Sequence, residues 1–171
     1  MVKMLGATLI ILAATLAGWH KAGQYANRPR QIRHLIVALK RLETEITYGF
    51  TPLPEALRVI ARGKKSPIQL MFEHAASGMD THNLTAQESL HLAISKYWGY
   101  TAMKVAEQEI MQQLSYTLGT SDREDQAGHI AAAISQLQHE ELQARDEQGH
   151  YEKMCKSLGL LSGILIVILL Y

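Results

Sequence analysis

Two pairs of glutamate and histidine come nearest to catalytic chemistry in this sequence. Glu88-x-x-His91 and Glu147-x-x-His150 each place a carboxylate and an imidazole on one face of a helix. Di-iron helical bundles use this pattern twice, together with one further Glu from each of two other helices. The chemistry to test first is therefore that of a di-metal oxidase or ligand-binding bundle.

That hypothesis competes with simpler roles for the same residues. Glu45 and Glu109 would have to supply the two further carboxylates. Glu88 already has the spacing of a helix cap, and Gly149 weakens the helix that carries the second pair. Because the sequence also lacks a Gly-rich phosphate loop, a nucleophile elbow and zinc-finger spacing, we predict no enzymatic activity, no cofactor and no metal site.

Another acidic pair points to binding rather than catalysis. Glu43 and Glu45 lie two residues apart, so they cannot both join the apolar face of one helix. At least one of them is expected in solvent. The other could bind a helix N-terminus or a partner protein.

The elements that position these residues follow from where the charges lie in the 171-residue chain, whose net charge is +1. Positions 4–19 and 157–171 contain no Asp, Glu, Lys or Arg. Two such ends favour a membrane protein over a soluble globule. The intervening charges balance at 16 basic and 16 acidic residues, which argues against nucleic-acid binding. The single cysteine, Cys155, excludes an intrachain disulfide.

We predict transmembrane helices at 2–20 and 154–171, with a cytoplasmic helical bundle domain at 21–153. A cleaved signal peptide is the alternative for the first end, since Lys3 precedes an apolar stretch. A basic cluster follows that stretch at once and resists translocation, which places the domain in the cytoplasm and both termini outside. The membrane-proximal basic residues are Lys21, Arg28, Arg30 and Arg33.

Between the two ends, apolar residues recur at helical spacing and almost nothing resembles a strand. The predicted fold class is all-α, a six-helix cytoplasmic bundle flanked by N- and C-terminal transmembrane helices. Pro29 is expected in the first turn of the first soluble helix. Capping boxes are expected to start helices at Thr85 and Ser121, and the last helix is expected to continue unbroken into the second span. The inward stripe of the first soluble helix comprises Ile32, Leu35, Leu39, Leu42 and Ile46.

The basic and acidic residues of the predicted domain are concentrated in different parts of the sequence. Residues 20–65 carry ten Lys and Arg against three Glu, a net charge of +7, and the remainder to 157 has a net charge of −7. Either the basic half lies near anionic lipid and the acidic half faces away, or the two halves dock against complementary surfaces of other copies or of a partner.

Five segments carry a family resemblance. They are KMLGA near the start, RPRQIR, IRHLIVALKRLETEITYGFTPLPEAL at 32–57, YTLGTSDREDQ at 116–126 and the ending EKMCKSLGLLSGILIVILLY. Together they strongly resemble the stage III sporulation protein AB family of endospore-forming bacteria. The likeness covers nearly the whole chain, and it is most specific at both ends and in ETEITYGFTPLPEA.

The resemblance implies a place in the channel that joins mother cell and forespore after engulfment. The protein would sit in the outer forespore membrane, with its domain in the mother-cell cytoplasm. Members of the family look like the cytoplasmic domain of the F-type platform protein of type II secretion systems, which couples a hexameric cytoplasmic ATPase to the membrane parts. The implied partners are that secretion-type ATPase, other channel membrane proteins, the lipid bilayer and further copies of this chain. This sequence departs from secretion platforms by carrying one such domain rather than two.

The resemblance also implies roles for individual residues. Glu43, Glu45 and Glu55 would orient the first helix pair or meet a basic patch on the ATPase. Arg28 and Arg30 would hold the domain against the membrane. The turn accounts for Gly49, Thr51 and Pro52, and we expect Tyr48 and Leu53 to pack across it. The alternative is a membrane-tethered helical adaptor without a motor partner, distinguished by whether an ATPase co-purifies.

Overall fold

The computed structural model describes residues 2–63, 65–119 and 122–170, with side chains mainly between 26 and 150. Helices account for the regular structure of these residues, and no strand occurs among them. The α-helices are α1 (Val2–Thr47), α2 (Leu53–Ala61), α3 (Pro67–Thr81), α4 (Ala86–Tyr97), α5 (Val105–Thr117) and α6 (Arg123–Leu170), with a 3₁₀ helix at Trp98–Tyr100. The all-α prediction is confirmed.

The chain forms two compact units. The first contains Met1–Pro29 and Leu142–Tyr171, and the second contains Arg30–Glu141. The long helices α1 and α6 contribute to both units. The division falls inside the predicted cytoplasmic domain, 21–153, whose boundaries stay a prediction.

Pro29 does not begin a helix, and that prediction is wrong. It lies inside α1, which runs continuously from Val2 to Thr47. A proline within a helix removes one backbone hydrogen bond and crowds the preceding turn. Here Pro29 and Arg28 are both buried, so we attribute the unbroken helix to local packing that offsets this cost. The expected continuity of α6 past Gly149 is confirmed.

The core of the second unit is built on the predicted apolar stripe of α1. Its five residues are between 0 and 4% exposed. From α6, Ile130, Ile134 and Leu137 are also buried, as expected from their spacing. Phe72 of α3 is the bulkiest of the fully buried side chains. The buried members of the stripe are Ile32, Leu35, Leu39, Leu42 and Ile46.

Caps start the shorter helices where the sequence places them. Thr85 accepts a hydrogen bond from the backbone N–H of Glu88, whose carboxylate accepts from the N–H of Thr85 in return. The capping box predicted at Ser121 falls on a residue outside the described part of the chain. At that end of α6, the Asp122 carboxylate accepts from the N–H of Asp125 instead.

Within the described part of the chain, no helix is both long enough and apolar enough to cross a membrane. The predicted spans, 2–20 and 154–171, fall on residues whose side chains lie almost entirely outside that description. Both spans therefore remain predictions.

Candidate interaction site at the α1–α2 turn

The connection between α1 and α2 is held by backbone hydrogen bonds to the last turn of α1. The carbonyl oxygen of Thr44 accepts from the N–H groups of Tyr48, at 3.0 Å, and Gly49, at 3.3 Å. The carbonyl oxygen of Glu45 accepts from the N–H of Thr51 at 3.2 Å. These bonds satisfy carbonyl groups that a helix end would otherwise leave unpaired, so the turn has a defined shape.

Glu45 adds a side-chain bond to the same turn. Its Oε2 accepts a hydrogen bond from the Thr51 hydroxyl at 3.1 Å, and its side chain is half-buried. The structure therefore gives Glu45 a local role: it joins the end of α1 to the residue that leads into α2. Glu43 is also half-buried, so neither member of this acidic pair is fully exposed.

Gly49 is the residue that allows the turn to close. A Cβ added at Gly49 would lie 2.8 Å from the carbonyl oxygen of Glu45 and 2.9 Å from the hydroxyl oxygen of Thr51. Both distances are too short, and one of the atoms belongs to the backbone, which cannot rotate away. Any side chain at this position must open the turn.

We expect Gly49→Ala to lower the free energy of unfolding by about 2 kcal/mol, because overpacking of this kind costs about 1–3 kcal/mol. Thermal unfolding of the full chain in detergent measures the effect. The matched control is Gly128→Ala on the exposed face of α6, where an added Cβ meets nothing within 4 Å. That change should raise stability by up to about 1 kcal/mol. Equal melting temperatures for the two variants would contradict the role of Gly49.

The turn presents two aromatic side chains to solvent. Tyr48 is 78% exposed and Phe50 is 65% exposed. The expectation that Tyr48 packs across the turn is therefore wrong. Tyr48 lies two residues after Ile46, which places it on the side opposite the buried stripe of α1. This spacing in the sequence could have predicted that Tyr48 is exposed.

Phe50 adopts a left-handed backbone conformation, with φ at 50°. A bulky residue in this region is a backbone outlier, and the conformation costs roughly 1–2 kcal/mol relative to the right-handed one. Strained residues of this kind concentrate at functional sites. An exposed, strained aromatic residue at the tip of a braced turn is the feature of this unit that most indicates binding.

The third predicted acidic residue, Glu55, lies at the start of α2 and is exposed. Its Oε2 accepts from Arg58 at 3.4 Å, and Arg58 also binds Asp80 of α3. The hydrogen bond from Arg58 to Asp80 is the main reason why the pKa of Arg58 lies above its ordinary value. Glu55 is thus an exposed acidic group close to the turn, partly engaged by Arg58.

The predicted membrane-proximal basic residues differ in their surroundings. In the first unit, Arg28 is buried and donates to Glu147 of α6 at 2.8 Å. In the second unit, Arg33 donates to Glu141 of α6 at 2.8 Å while its side chain stays 57% exposed. Arg30 is exposed, and the side chain of Lys21 lies outside the described part. Membrane contact by these four residues stays a prediction.

The di-metal hypothesis finds no support in this geometry. Among the described side chains, no three of His, Cys, Asp and Glu gather to hold a metal ion. Glu88 caps α4, and the hydrogen bonds from Thr85 hold the pKa of the Glu88 carboxyl below its usual range. Glu45 braces the turn, and Glu147 pairs with Arg28. Three of the four carboxylates that the site would need therefore have structural partners.

The second unit is thus an all-helical unit that displays two exposed aromatic residues, Tyr48 and Phe50, on a braced turn, with Glu55 exposed after it. The chain belongs to the stage III sporulation protein AB family, whose model matches residues 3–171. The stage III sporulation protein AB of Bacillus subtilis strain 168 is 39% identical over 170 residues, 99% of each chain. A solved structure of stage III sporulation protein AB is 35% identical, with a TM-score of 0.68, and the match covers 72% of this chain and 98% of that one.

These findings confirm the family resemblance and assign the chain to sporulation. The matched family and relatives carry the names of sporulation proteins rather than of enzymes.

Proposed function

We propose that this protein is a non-enzymatic platform component of the channel between mother cell and forespore. In this proposal the helical domain lies in the mother-cell cytoplasm at the outer forespore membrane, anchored by terminal spans at 2–20 and 154–171. The domain couples the secretion-type ATPase of the channel to its membrane proteins.

The observation that carries the proposal is the exposed turn at Tyr48–Phe50. It falls within the segment that carries the resemblance to secretion platforms, and it is braced by the bond between Glu45 and Thr51. Aromatic side chains are the commonest anchors of protein interfaces, and polar or charged groups at the rim contribute specificity. We therefore assign Tyr48 and Phe50 as anchors, Glu43 and Glu55 as the acidic rim toward a basic patch on the ATPase, and Glu45 as the residue that positions the turn.

The acidic rim is tested by charge reversal. We expect Glu43→Lys to reduce co-purification of the ATPase about tenfold while leaving the melting temperature unchanged, because like-charge juxtaposition at an interface costs one or more kcal/mol. Glu45→Lys should reduce co-purification and also lower the melting temperature, because it removes the bond to Thr51 as well.

The matched control for these variants is Glu73→Lys on the exposed surface of α3, which should leave both readouts at wild-type level. Spore counts from cells that carry each variant give an independent measure. Normal spore formation and normal recovery of the ATPase with Glu43→Lys would show that this residue does not contact the partner.

A further inference from the structure

The outer face of α1 in the second unit carries charge of one sign. Four basic residues recur at helical spacing on the side opposite the buried stripe, with no acidic residue on that face. Val37 lies in the middle of this face and is 60% exposed. Arg30, Lys40 and Arg41 form no ion pair with any described residue, and they cover about 17 Å of helix. The α1 outer face comprises Arg30, Arg33, Val37, Lys40 and Arg41.

A groove with acidic residues in its lining runs between α5 and α6 in the same unit. It consists of two adjoining hollows of about 140 and 520 Å³, which share Ile110, Gln113 and Gln136. Ile110 and Leu114 form an apolar part of its lining. Glu109 and Glu140 line its larger hollow, and no lysine or arginine lines either one.

These two surfaces cannot meet within one copy of the chain. Arg33 donates to Glu141, so the side of α6 that carries Glu141 faces α1. His129, Ala132 and Gln136 of α6 face α5 and the groove, and their positions on the helix lie well away from that of Glu141. Each copy therefore presents a basic face on one side of α6 and an acidic groove on the other.

We propose that the α1 outer face of one copy binds the α5–α6 groove of a second copy, head to tail. The basic side chains of Lys40 and Arg41 approach Glu109, and Val37 covers the apolar lining of the groove. Electrostatic complementarity of this kind fixes the partner and the register of an interface. Such a contact also accounts for the uneven charge of the domain, which is +7 over residues 20–65 and −7 over the remainder to 157.

A head-to-tail contact has a structural consequence. The two surfaces differ, so each added copy leaves one of each kind available, and the assembly closes into a ring or continues as a row. Anionic lipid would satisfy the charges of α1 but would leave exposed Val37 and the acidic groove without a role. The inference requires no ATPase and stands apart from the proposed function.

Disulfide trapping tests the contact in full-length protein reconstituted into neutral phosphatidylcholine nanodiscs. In a Cys155→Ser background, the chain has no other cysteine. We expect an equal mixture of Val37→Cys and Gln113→Cys proteins to give a covalent dimer on mild oxidation, and neither protein alone to do so. Leu92→Cys, at an exposed site on α4, replaces Gln113→Cys as the matched control and should give none.

Charge exchange adds a second readout. We expect the dimer yield to fall about tenfold when Lys40→Glu and Arg41→Glu are added to the Val37→Cys protein, or when Glu109→Lys is added to the Gln113→Cys protein. Mixing the two altered proteins should restore part of the yield. Addition of 1 M salt should also lower the yield, because the contact is electrostatic.

Three results would overturn the proposal. One is a dimer from Val37→Cys protein alone, which indicates a symmetric contact. Another is a mixture that gives no more dimer than the Leu92→Cys control. The third, in a parallel set of nanodiscs that contain anionic phosphatidylglycerol, is trapping that occurs only there and is indifferent to Glu109→Lys, which would make the α1 outer face a lipid surface.

Discussion

Replacing Phe50 by asparagine is expected to lower binding of the partner about a hundredfold while leaving the protein at least as stable as the wild type. Phe50 is 65% exposed, so little buried apolar surface is lost. Its φ of 50° suits asparagine, which adopts the left-handed conformation far more readily than phenylalanine. Truncation of an aromatic anchor commonly costs 2–4 kcal/mol of binding, and a hundredfold corresponds to about 2.8 kcal/mol.

Two further variants make this result specific. Tyr48→Ala should cause a comparable loss of binding, since Tyr48 is the second exposed aromatic residue of the turn. Tyr100→Ala is the matched control, because Tyr100 is 75% exposed in the 3₁₀ helix and has no part in the proposed contact. Thermal unfolding and quantitative co-purification are measured on the same preparations. Full recovery of the partner with both Phe50→Asn and Tyr48→Ala would remove the turn from the account.

The second large effect is expected at the ion pair between Arg28 and Glu147. The Arg28 side chain is 5% exposed and that of Glu147 is 29% exposed. Removing one partner of a buried pair leaves the other charge without compensation, at a cost of about 3–5 kcal/mol. Because water reaches Glu147, we expect Arg28→Ala to cost about 3 kcal/mol, at the lower end of that range.

The pair between Glu55 and Arg58 of α2 is the control, because its side chains are 50% and 35% exposed. Glu55→Ala should cost less than about 1 kcal/mol, as exposed ion pairs generally do. The double change Arg28→Met with Glu147→Leu should recover most of the stability lost in Arg28→Ala, because buried ion pairs tolerate apolar replacement of both partners. Unfolding of the full chain in detergent measures the loss of stability in all three variants. Equal costs for Arg28→Ala and Glu55→Ala would contradict the burial argument.

Local patterns in the sequence predicted those parts of the fold that depend on neighbouring residues. The stripe from Ile32 to Ile46, the cap at Thr85 and the unbroken course of α6 follow from periodicity and short-range hydrogen bonding. The position of Pro29 was misjudged because the local preference of proline for a first turn was overridden by the packing around it.

Features that depend on how the chain folds back on itself could not be predicted in this way. Arg28 and Glu147 are 119 positions apart in the chain, and no spacing rule connects them. The resemblance drew attention to Glu45, but its bond to Thr51 depends on how the turn folds back. The strain at Phe50 likewise emerges only when the backbone is built. By contrast, the exposure of Tyr48 could be deduced from its position two residues after Ile46.

The most direct test of the platform proposal is a pull-down of the tagged, full-length protein from sporulating cells, with bound proteins identified by mass spectrometry. The proposal predicts recovery of a hexameric secretion-type ATPase together with other membrane proteins of the channel, and loss of the ATPase from Phe50→Asn protein. Recovery of channel membrane proteins from the wild type without any ATPase would contradict motor coupling and leave a membrane-tethered adaptor.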